Sequence, residues 1–183
     1  MSVNGLVVMT PTSIASTGTG NSSSIGANGK VTFSSCETLS LNGVFTSSYD
    51  NYMVVMRSVA SNNAQTGNIR LRASGSDNST LSSYTRQYIA ANGTSVTGDR
   101  ASSSDAFIYN SDDTQRSGLI LYLFGPYLVQ PTAGRTTTVS GFDNAYLLDA
   151  AFTHNQSTSY DGFSLYPATG SFSGLVTVYG FNQ

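Results

Sequence analysis

The residue types needed for nucleophilic catalysis are scarce in this 183-residue chain, which holds one histidine and one cysteine. Any His-based triad must use His154, and no serine near it sits in a strand-turn-helix nucleophile motif. We therefore expect His154 in a loop or at the surface. Cys36 lies between serine and glutamate, and we expect a small, buried or semi-buried thiol there. No catalytic residue is predicted, and we expect a protein that is not an enzyme.

Acidic residues offer little more, because they are Glu37 and nine aspartates, nearly all in turn-like stretches. The pairs Asp112–Asp113 and Asp77–Asn78 supply oxygen ligands of the kind that calcium prefers, but neither has EF-hand spacing. One histidine with one cysteine excludes the usual zinc ligand sets. We predict no metal site and no cofactor, and calcium at Asp112 and Asp113 stays an open alternative.

Tyrosine is the residue type most suited to binding, with eleven copies set among many Asn, Ser and Gly residues. A tyrosine ring offers rigid apolar area with a polar tip, which suits recognition surfaces and stacking against sugars. Four tyrosines next to polar stretches are our candidate exposed, ligand-binding residues: Tyr84, Tyr88, Tyr109 and Tyr160. The alternative is that they fill the core or a subunit contact.

Charge is low, at 10% Asp, Glu, Lys and Arg with a net charge of −2. Eight basic residues give no phosphate-neutralising patch, so we expect no nucleic-acid partner. No apolar run approaches about 18 residues, so we expect no membrane insertion. The segment from Met1 to Pro11 does not read as a secretory signal. Because charges keep monomers apart and blunt strand edges, their scarcity favours a homo-oligomer, with a trimer as the preferred form.

Period-two patterning predicts strands along most of the chain. In the segment from Asn68 to Ser74, three apolar residues alternate with Arg70, Arg72 and Ser74, which indicates a half-buried strand with a solvated face. The runs Tyr52–Met56 and Leu119–Phe124 are apolar on both faces and predict strands covered on both sides, at the centre of a sandwich or under a subunit contact. The run from Leu175 to Phe181 predicts an internal closing strand.

Turn signals separate these strands, the strongest being Asn28-Gly29 between two short β-type runs. Residues 16–24 read as a flexible loop, and residues 79–91 fit either a short helix or an irregular strand. No helical stripe of 10 to 12 residues exists, so we expect under about 10% helix. The prediction is one all-β domain over residues 1–183, an antiparallel, jelly-roll-like β-sandwich of about eight to ten strands.

Three stretches, taken in order along the chain, resemble a known group of proteins. They are Gly5–Ala15, Leu41–Tyr52, and Asp161–Gly170 followed by Ser173–Phe181. Together they resemble small virion proteins of tailed bacteriophages, of the tail-fibre, minor-tail and decoration type. The resemblance covers the full length and names no catalytic residue.

The resemblance implies a structural subunit on the exterior of a phage particle, made in the host cytoplasm and contacting other virion proteins. The first expectation is a position on the tail or an appendage, from which the protein can contact a glycan on the host surface. Because no long shaft or coiled coil precedes the domain, a stand-alone capsid decoration or cement protein is the alternative. A carbohydrate-binding, receptor-recognition module is the alternative from another class.

Overall fold

The computed structural model describes residues 5–61, 65–113, 115–141 and 145–182. Sixteen strands occur in these residues, which is more than the eight to ten expected because several turns join very short strands. The strands are β1 (Val7–Met9), β2 (Ser13–Thr17), β3 (Ser22–Ile25), β4 (Val31–Cys36), β5 (Thr38–Asn42), β6 (Asn51–Ala60), β7 (Gln65–Ala73), β8 (Ser76–Asp77), β9 (Tyr84–Asn92), β10 (Ser95–Ser103), β11 (Ala106–Ser111), β12 (Ser117–Phe124), β13 (Thr132–Ser140), β14 (Tyr146–His154), β15 (Gly162–Pro167) and β16 (Phe172–Phe181).

The strands form two antiparallel sheets that pack as a sandwich. The large sheet has the order β10-β9-β14-β13-β12-β6-β16-β4-β3, with β1 added beside β16. The small sheet has the order β11-β7-β15-β5-β2, with β8 added beside β7. The chain crosses repeatedly from one sheet to the other, as at β6 to β7, β10 to β11 and β15 to β16. The predicted all-β, jelly-roll-like sandwich is confirmed.

The core lies between the sheets, because alternation turns every second side chain of each strand inward. The small sheet contributes buried aliphatic and aromatic side chains from its three central strands: Leu39, Leu41, Ile69, Leu71, Phe163 and Leu165. The large sheet contributes the facing set: Val54, Met56, Leu119, Leu121, Leu123, Phe152, Val176 and Val178. The alternation predicted for residues 68–74 is thus confirmed for Ile69 and Leu71, which both face the core.

The last strand, β16, is internal, as predicted. It lies between β6 and β4 in the large sheet, and Val176 pairs with both Met56 and Val31. Val176 and Val178 are buried on the inner face, while Tyr179 and Phe181 lie on the other. The chain end thus completes the middle of the sheet.

Of two local predictions near the start of the chain, the hairpin was right and the flexible loop was not. The hairpin at Asn28-Gly29 is confirmed, since β3 pairs with β4 through Ile25 and Val31, and Gly29 has a φ of 74°. The flexible loop expected over residues 16–24 is wrong, because β2 and β3 occupy most of it and Ser16 Oγ contacts Ser23 Oγ at 3.0 Å. Serine runs can form strands when a neighbouring strand takes up their backbone hydrogen bonds.

One expectation of exposure was also wrong. Arg72 was placed on a solvated face but is buried, because the turn leading into β8 folds over it. Its guanidinium donates to Asn42 Oδ1 at 3.0 Å and Ser164 Oγ at 2.9 Å, and it pairs with Asp77.

The runs at β6 and β12 were expected to be covered on both sides, at the centre of a sandwich or under a subunit contact. Within this chain their inner side chains are buried and most of the outer ones are exposed, so cover by a subunit contact stays a prediction. In the part of the chain that the structure describes, no helix is long and apolar enough to span a membrane.

Candidate functional site

The two sheets differ in width, and this difference creates a groove. The large sheet carries nine strands side by side where the small sheet carries five. Beyond β11, at the edge of the small sheet, strands β9 and β10 extend without full cover. The inner faces of these two strands therefore meet solvent along the flank of the sandwich.

The groove at this flank has a volume of about 440 Å³. Residues of the strands β7, β9, β10, β11 and β14 line it, together with the turn between β10 and β11. Its main side chains are Asn68, Arg86, Tyr88, Asp105, Phe107, Asn110 and Tyr146.

Aromatic rings form the floor of the groove. Tyr88 and Phe107 pack edge to face, with ring centroids 5.3 Å apart at an angle of 82°. The guanidinium carbon of Arg86 lies 5.5 Å from the centre of each ring. Arg86 is also held by Asp99 across the hairpin, with Nη1 and Oδ2 at 3.3 Å. These contacts fix the ring positions before any ligand arrives, which lowers the entropy cost of binding.

Tyr146 closes one end of the groove from the first position of β14. It is half-buried and packs beside Tyr88, with Asn110 as a hydrogen-bond partner. Burial raises the pKa of its hydroxyl, so the group stays a neutral donor and acceptor at physiological pH.

The polar wall on the small-sheet side is built around Asp105. Tyr166 Oη donates to Asp105 Oδ2 at 2.7 Å, and Arg70 Nη2 lies 3.7 Å from the same oxygen. Arg70 also donates to the Ser104 carbonyl at 3.1 Å and lies 5.0 Å from the centre of the Tyr166 ring. The carboxylate thus has a fixed position and fixed neighbours, and it offers its remaining acceptor capacity to the groove.

Of the four tyrosines predicted from the sequence, the structure brings only Tyr88 to this groove. Tyr84, Tyr109 and Tyr160 were expected to be exposed, and that expectation is wrong because all three have no exposed surface. Tyr109 packs against Gly67, where an added Cβ would overlap its ring. The polar residues beside these tyrosines in the sequence lie on the other strand face or in turns. Their polarity therefore does not indicate whether the tyrosine ring itself is exposed.

Tyr84 and Tyr160 instead belong to an internal cluster with His154. Tyr84 Oη accepts from the Leu71 amide at 2.9 Å and donates to the Asn78 carbonyl at 3.0 Å. Asn78 Nδ2 donates to Tyr160 Oη at 2.9 Å, which leaves the Tyr160 proton to be donated to His154 Nε2. The hydroxyl groups of both tyrosines are used inside the protein.

His154 was expected in a loop or at the surface, and this is wrong. It ends β14, has no exposed surface, and its ring lies 4.1 Å from that of Tyr84, centre to centre. Burial lowers the pKa of His154 from 6.5 to about 4, against an opposing effect of the Ser83 carbonyl. The imidazole is therefore neutral near pH 7 and acts as an acceptor for Tyr160.

The cysteine and the aspartate considered as reactive or metal-binding groups have ordinary structural contacts. Cys36 is buried, as predicted, and burial raises the pKa of its thiol. Asp112 is buried and accepts from the Gln115 amide at 2.9 Å, an ordinary turn contact. Across the described ranges, no group of three or more His, Cys, Asp or Glu side chains is arranged to hold a metal ion.

Sequence reasoning missed Arg86, Phe107 and Tyr146, as well as the polar groove residues Asn68, Asp105 and Asn110. Arg86 and Tyr88 have period-two spacing on one strand, a signal that places them on one face. Phe107 and Tyr146 come from β11 and β14, which carry no shared sequence signal. Only the sheet order brings these strands to the same flank.

No family model and no curated protein matches this chain. Among solved structures, the chain is similar to the C-terminal CBM6 of LamC, a marine laminarinase from Zobellia galactanivorans, with 11% identity and a TM-score of 0.31 over 95% of this chain and 98% of that one. It is also similar to the CBM22-1–GH10 modules of endo-1,4-β-D-xylanase 10B from Clostridium thermocellum, complexed with xylohexaose, with 7% identity and a TM-score of 0.29. The match covers 98% of this chain and 29% of the xylanase chain. At these values neither likeness bears on a ligand of this protein.

Proposed function

We propose that the protein is a carbohydrate-recognition module that binds a neutral glycan in the groove between the overhanging hairpin of β9 and β10 and the edge strand β11. The observation that carries the proposal is the combination of fixed aromatic rings and fixed polar groups in one open groove. Sugars present apolar C–H faces and hydroxyl edges, and this groove offers partners for both.

The aromatic part supplies the stacking surface. Tyr88 is half-buried and its position is fixed by Phe107 and Arg86, so a sugar ring meets a surface with little freedom left to lose. The Tyr88–Phe107 ring pair itself contributes about 0.5–1.5 kcal/mol beyond its buried area, which holds the stacking surface in place.

The polar part supplies orientation. Asn68 and Asn110 contribute amides, and Asp105 contributes a carboxylate whose neighbours Tyr166 and Arg70 hold it in place. Arg86 and Asp105 bring opposite charges to the same groove. A neutral glycan is therefore favoured over a strongly anionic one, and we expect binding with weak salt dependence.

A glycan array probed with the labelled full chain tests the proposal, followed by titration of the strongest neutral oligosaccharide found. We expect Tyr88→Ala to weaken that binding roughly tenfold, the loss of about 1.4 kcal/mol. Leu81→Ala is the control, because Leu81 is 81% exposed in the turn before β9 and lies outside the groove. An array without binding, or equal loss in both variants, would contradict the proposal.

A second candidate function is that of a structural subunit on the exterior of a tailed-phage virion, on the tail or an appendage, with capsid decoration as the alternative position. The resemblance over three ordered stretches supports it, and so do the low charge and an exposed apolar sheet face. This function and glycan recognition are compatible, since an appendage can do both.

Imaging with a labelled antibody on purified particles of a phage that carries this chain tests the second candidate. Signal at the tail supports the appendage, signal over the head supports decoration, and particles without the chain contradict both. Glycan binding by the isolated protein is unaffected by any of these results, so the two functions can fail separately.

A further inference from the structure

The outer face of the large sheet, turned away from the small sheet, carries an unusual number of exposed apolar side chains. Eight large ones expose between 37 and 71% of their surface each, and we call them the apolar strip: Val55, Ile89, Val96, Ile120, Tyr122, Phe124, Val139 and Leu147.

Strand register makes the strip continuous. Ile120 lies directly beside Val55, and Val139 lies directly beside Leu147. Residues paired across neighbouring strands point to the same side of a sheet, so these side chains form one surface across β6, β12, β13 and β14. Ile89 and Val96 extend it over β9 and β10.

The charges at the centre of this surface form a neutral pair. Arg135 and Asp149 lie diagonally on adjacent strands, with hydrogen bonds of 3.1 and 2.7 Å in a two-point contact. Arg57 and Arg100 lie at opposite ends, on β6 and β10. A copy of the same face therefore meets a neutral centre, with the remaining charges at its edges.

The size of the strip fits an interface. Eight large apolar side chains at roughly half exposure give on the order of several hundred Å² of apolar surface, more than most monomeric proteins leave exposed in one patch. A standard interface buries about 800 Å² on each partner, with an apolar core and a polar rim. Threonines and alanines that lie between the strip residues supply the remaining area, and the flanking arginines supply part of the rim.

We propose that the apolar strip packs against the same strip of a second copy of this chain, about a two-fold axis, to form a dimer with the two large sheets face to face. A surface that binds itself generates a closed pair, whereas a three-fold ring needs two different complementary surfaces. The trimer expected from the sequence is thus replaced by a dimer in this proposal. Stacked sheets of this kind pack about 10 Å apart.

This dimer leaves the groove free. Successive residues of a strand point to opposite sides, so Tyr88 enters the groove while Ile89 belongs to the apolar strip. The proposal therefore does not depend on glycan binding, and it extends the structural-subunit function by naming the partner.

Sedimentation of the full chain at micromolar concentration tests the dimer. We expect a dimer for the natural sequence and a monomer for Ile120→Lys, with dissociation at least 100-fold easier, because a desolvated ammonium would face its copy near the axis. Leu81→Lys is the matched control, since Leu81 is 81% exposed in the turn before β9, outside the strip. The control should remain a dimer.

Thermal unfolding of both variants checks that each one folds, and Val139→Lys replaces Ile120→Lys if that variant does not. A natural chain that is a monomer or a trimer overturns the proposal, and so does a folded Ile120→Lys or Val139→Lys variant that still dimerises. Glycan titration of the Ile120→Lys monomer separates the functions: retained affinity is expected, and its loss would show that the groove requires the dimer, against the separation of faces on which the proposal rests.

Discussion

Tyr84 and Tyr88 lie on the same face of the same strand, four residues apart, yet their surroundings differ completely. Tyr84 is fully buried, and its hydroxyl has partners at the Leu71 amide and the Asn78 carbonyl. Tyr88 is half-buried beside Phe107 at the open flank. The difference arises from the opposite sheet and its loops, which cover one end of β9 and stop short of the other. Whether the opposite sheet covers the ring therefore decides which tyrosine is part of the core and which is a candidate for binding.

The largest expected effect is the loss of folding stability when β16 is removed, and the effects at Tyr84 and Tyr88 are compared with it. Deleting residues 175–183 removes β16 from between β6 and β4, with the buried Val176 and Val178. At about 1.5–3 kcal/mol per large buried side chain, plus the hydrogen bonds of two strand pairs, the loss approaches a domain's whole stability of about 5–15 kcal/mol. We expect an insoluble or unfolded protein, measured by circular dichroism and solubility. Cooperative melting near the full-length temperature would show that the strand is peripheral.

Truncating the two tyrosines tests the comparison directly. Tyr84→Ala should lower the free energy of unfolding by about 3–5 kcal/mol, because it leaves a cavity and an unpaired Leu71 amide. Tyr88→Ala should lower it by about 1 kcal/mol, because solvent already reaches that ring. Urea unfolding of both variants gives the two values. Similar losses at the two sites would mean that the groove is as essential to folding as the core cluster.

Acid should affect the buried cluster selectively. The pKa of His154 is about 4 in the folded state against 6.5 for an ordinary histidine, so the unfolded chain binds the proton more readily. The stabilising contribution is complete above pH 6.5 and is lost as the pH falls from 6.5 towards 4, by on the order of 3 kcal/mol.

His154→Gln is the control for this pH dependence. Its unfolding free energy at neutral pH should be lower than that of the natural chain, since Tyr160 loses its imidazole acceptor. Between pH 6.5 and 4 its stability should change less than that of the natural chain. Parallel pH curves for the two proteins would assign the acid sensitivity to other groups.

The smallest effect is expected in the groove. Tyr146→Phe removes a hydroxyl that is half-buried and has Asn110 as its partner. Because water can replace that partner, the free energy of unfolding should change by about 0.5 kcal/mol or less. A loss well above 1 kcal/mol in urea unfolding would place Tyr146 with the structural tyrosines.

Much of the fold could be predicted from the sequence, because strand alternation is a local signal. The segments around Val54, Leu71, Leu121 and Val176 carried period-two or continuous apolar patterns, and each is a strand. The alternating patterns around Leu71 and Val176 also indicated which side chains share a face, and one of those faces is the buried one. The Asn28-Gly29 turn was readable for the same reason, since its chemistry lies in two adjacent residues.

The cover of each strand face was not predictable, because it depends on segments distant in the sequence. His154 sits in a polar stretch yet is enclosed by Tyr84 and Tyr160, and Arg72 is enclosed by the turn into β8. The groove depends on the number of strands in each sheet, a property of the whole chain. Tyr88 was therefore identifiable as a candidate, while its neighbours Phe107 and Tyr146 were not.

Strand β9 has a further consequence, because it serves the groove with Tyr88 and the apolar strip with Ile89. Two copies joined through the strip carry two grooves, each on the side of its sheet away from the shared interface. The two grooves therefore open on opposite sides of the dimer, and a gain in avidity requires that both be occupied at once. One flat surface cannot occupy both grooves. The dimer is instead built to hold two glycan chains, one on each side, and so to link them to each other.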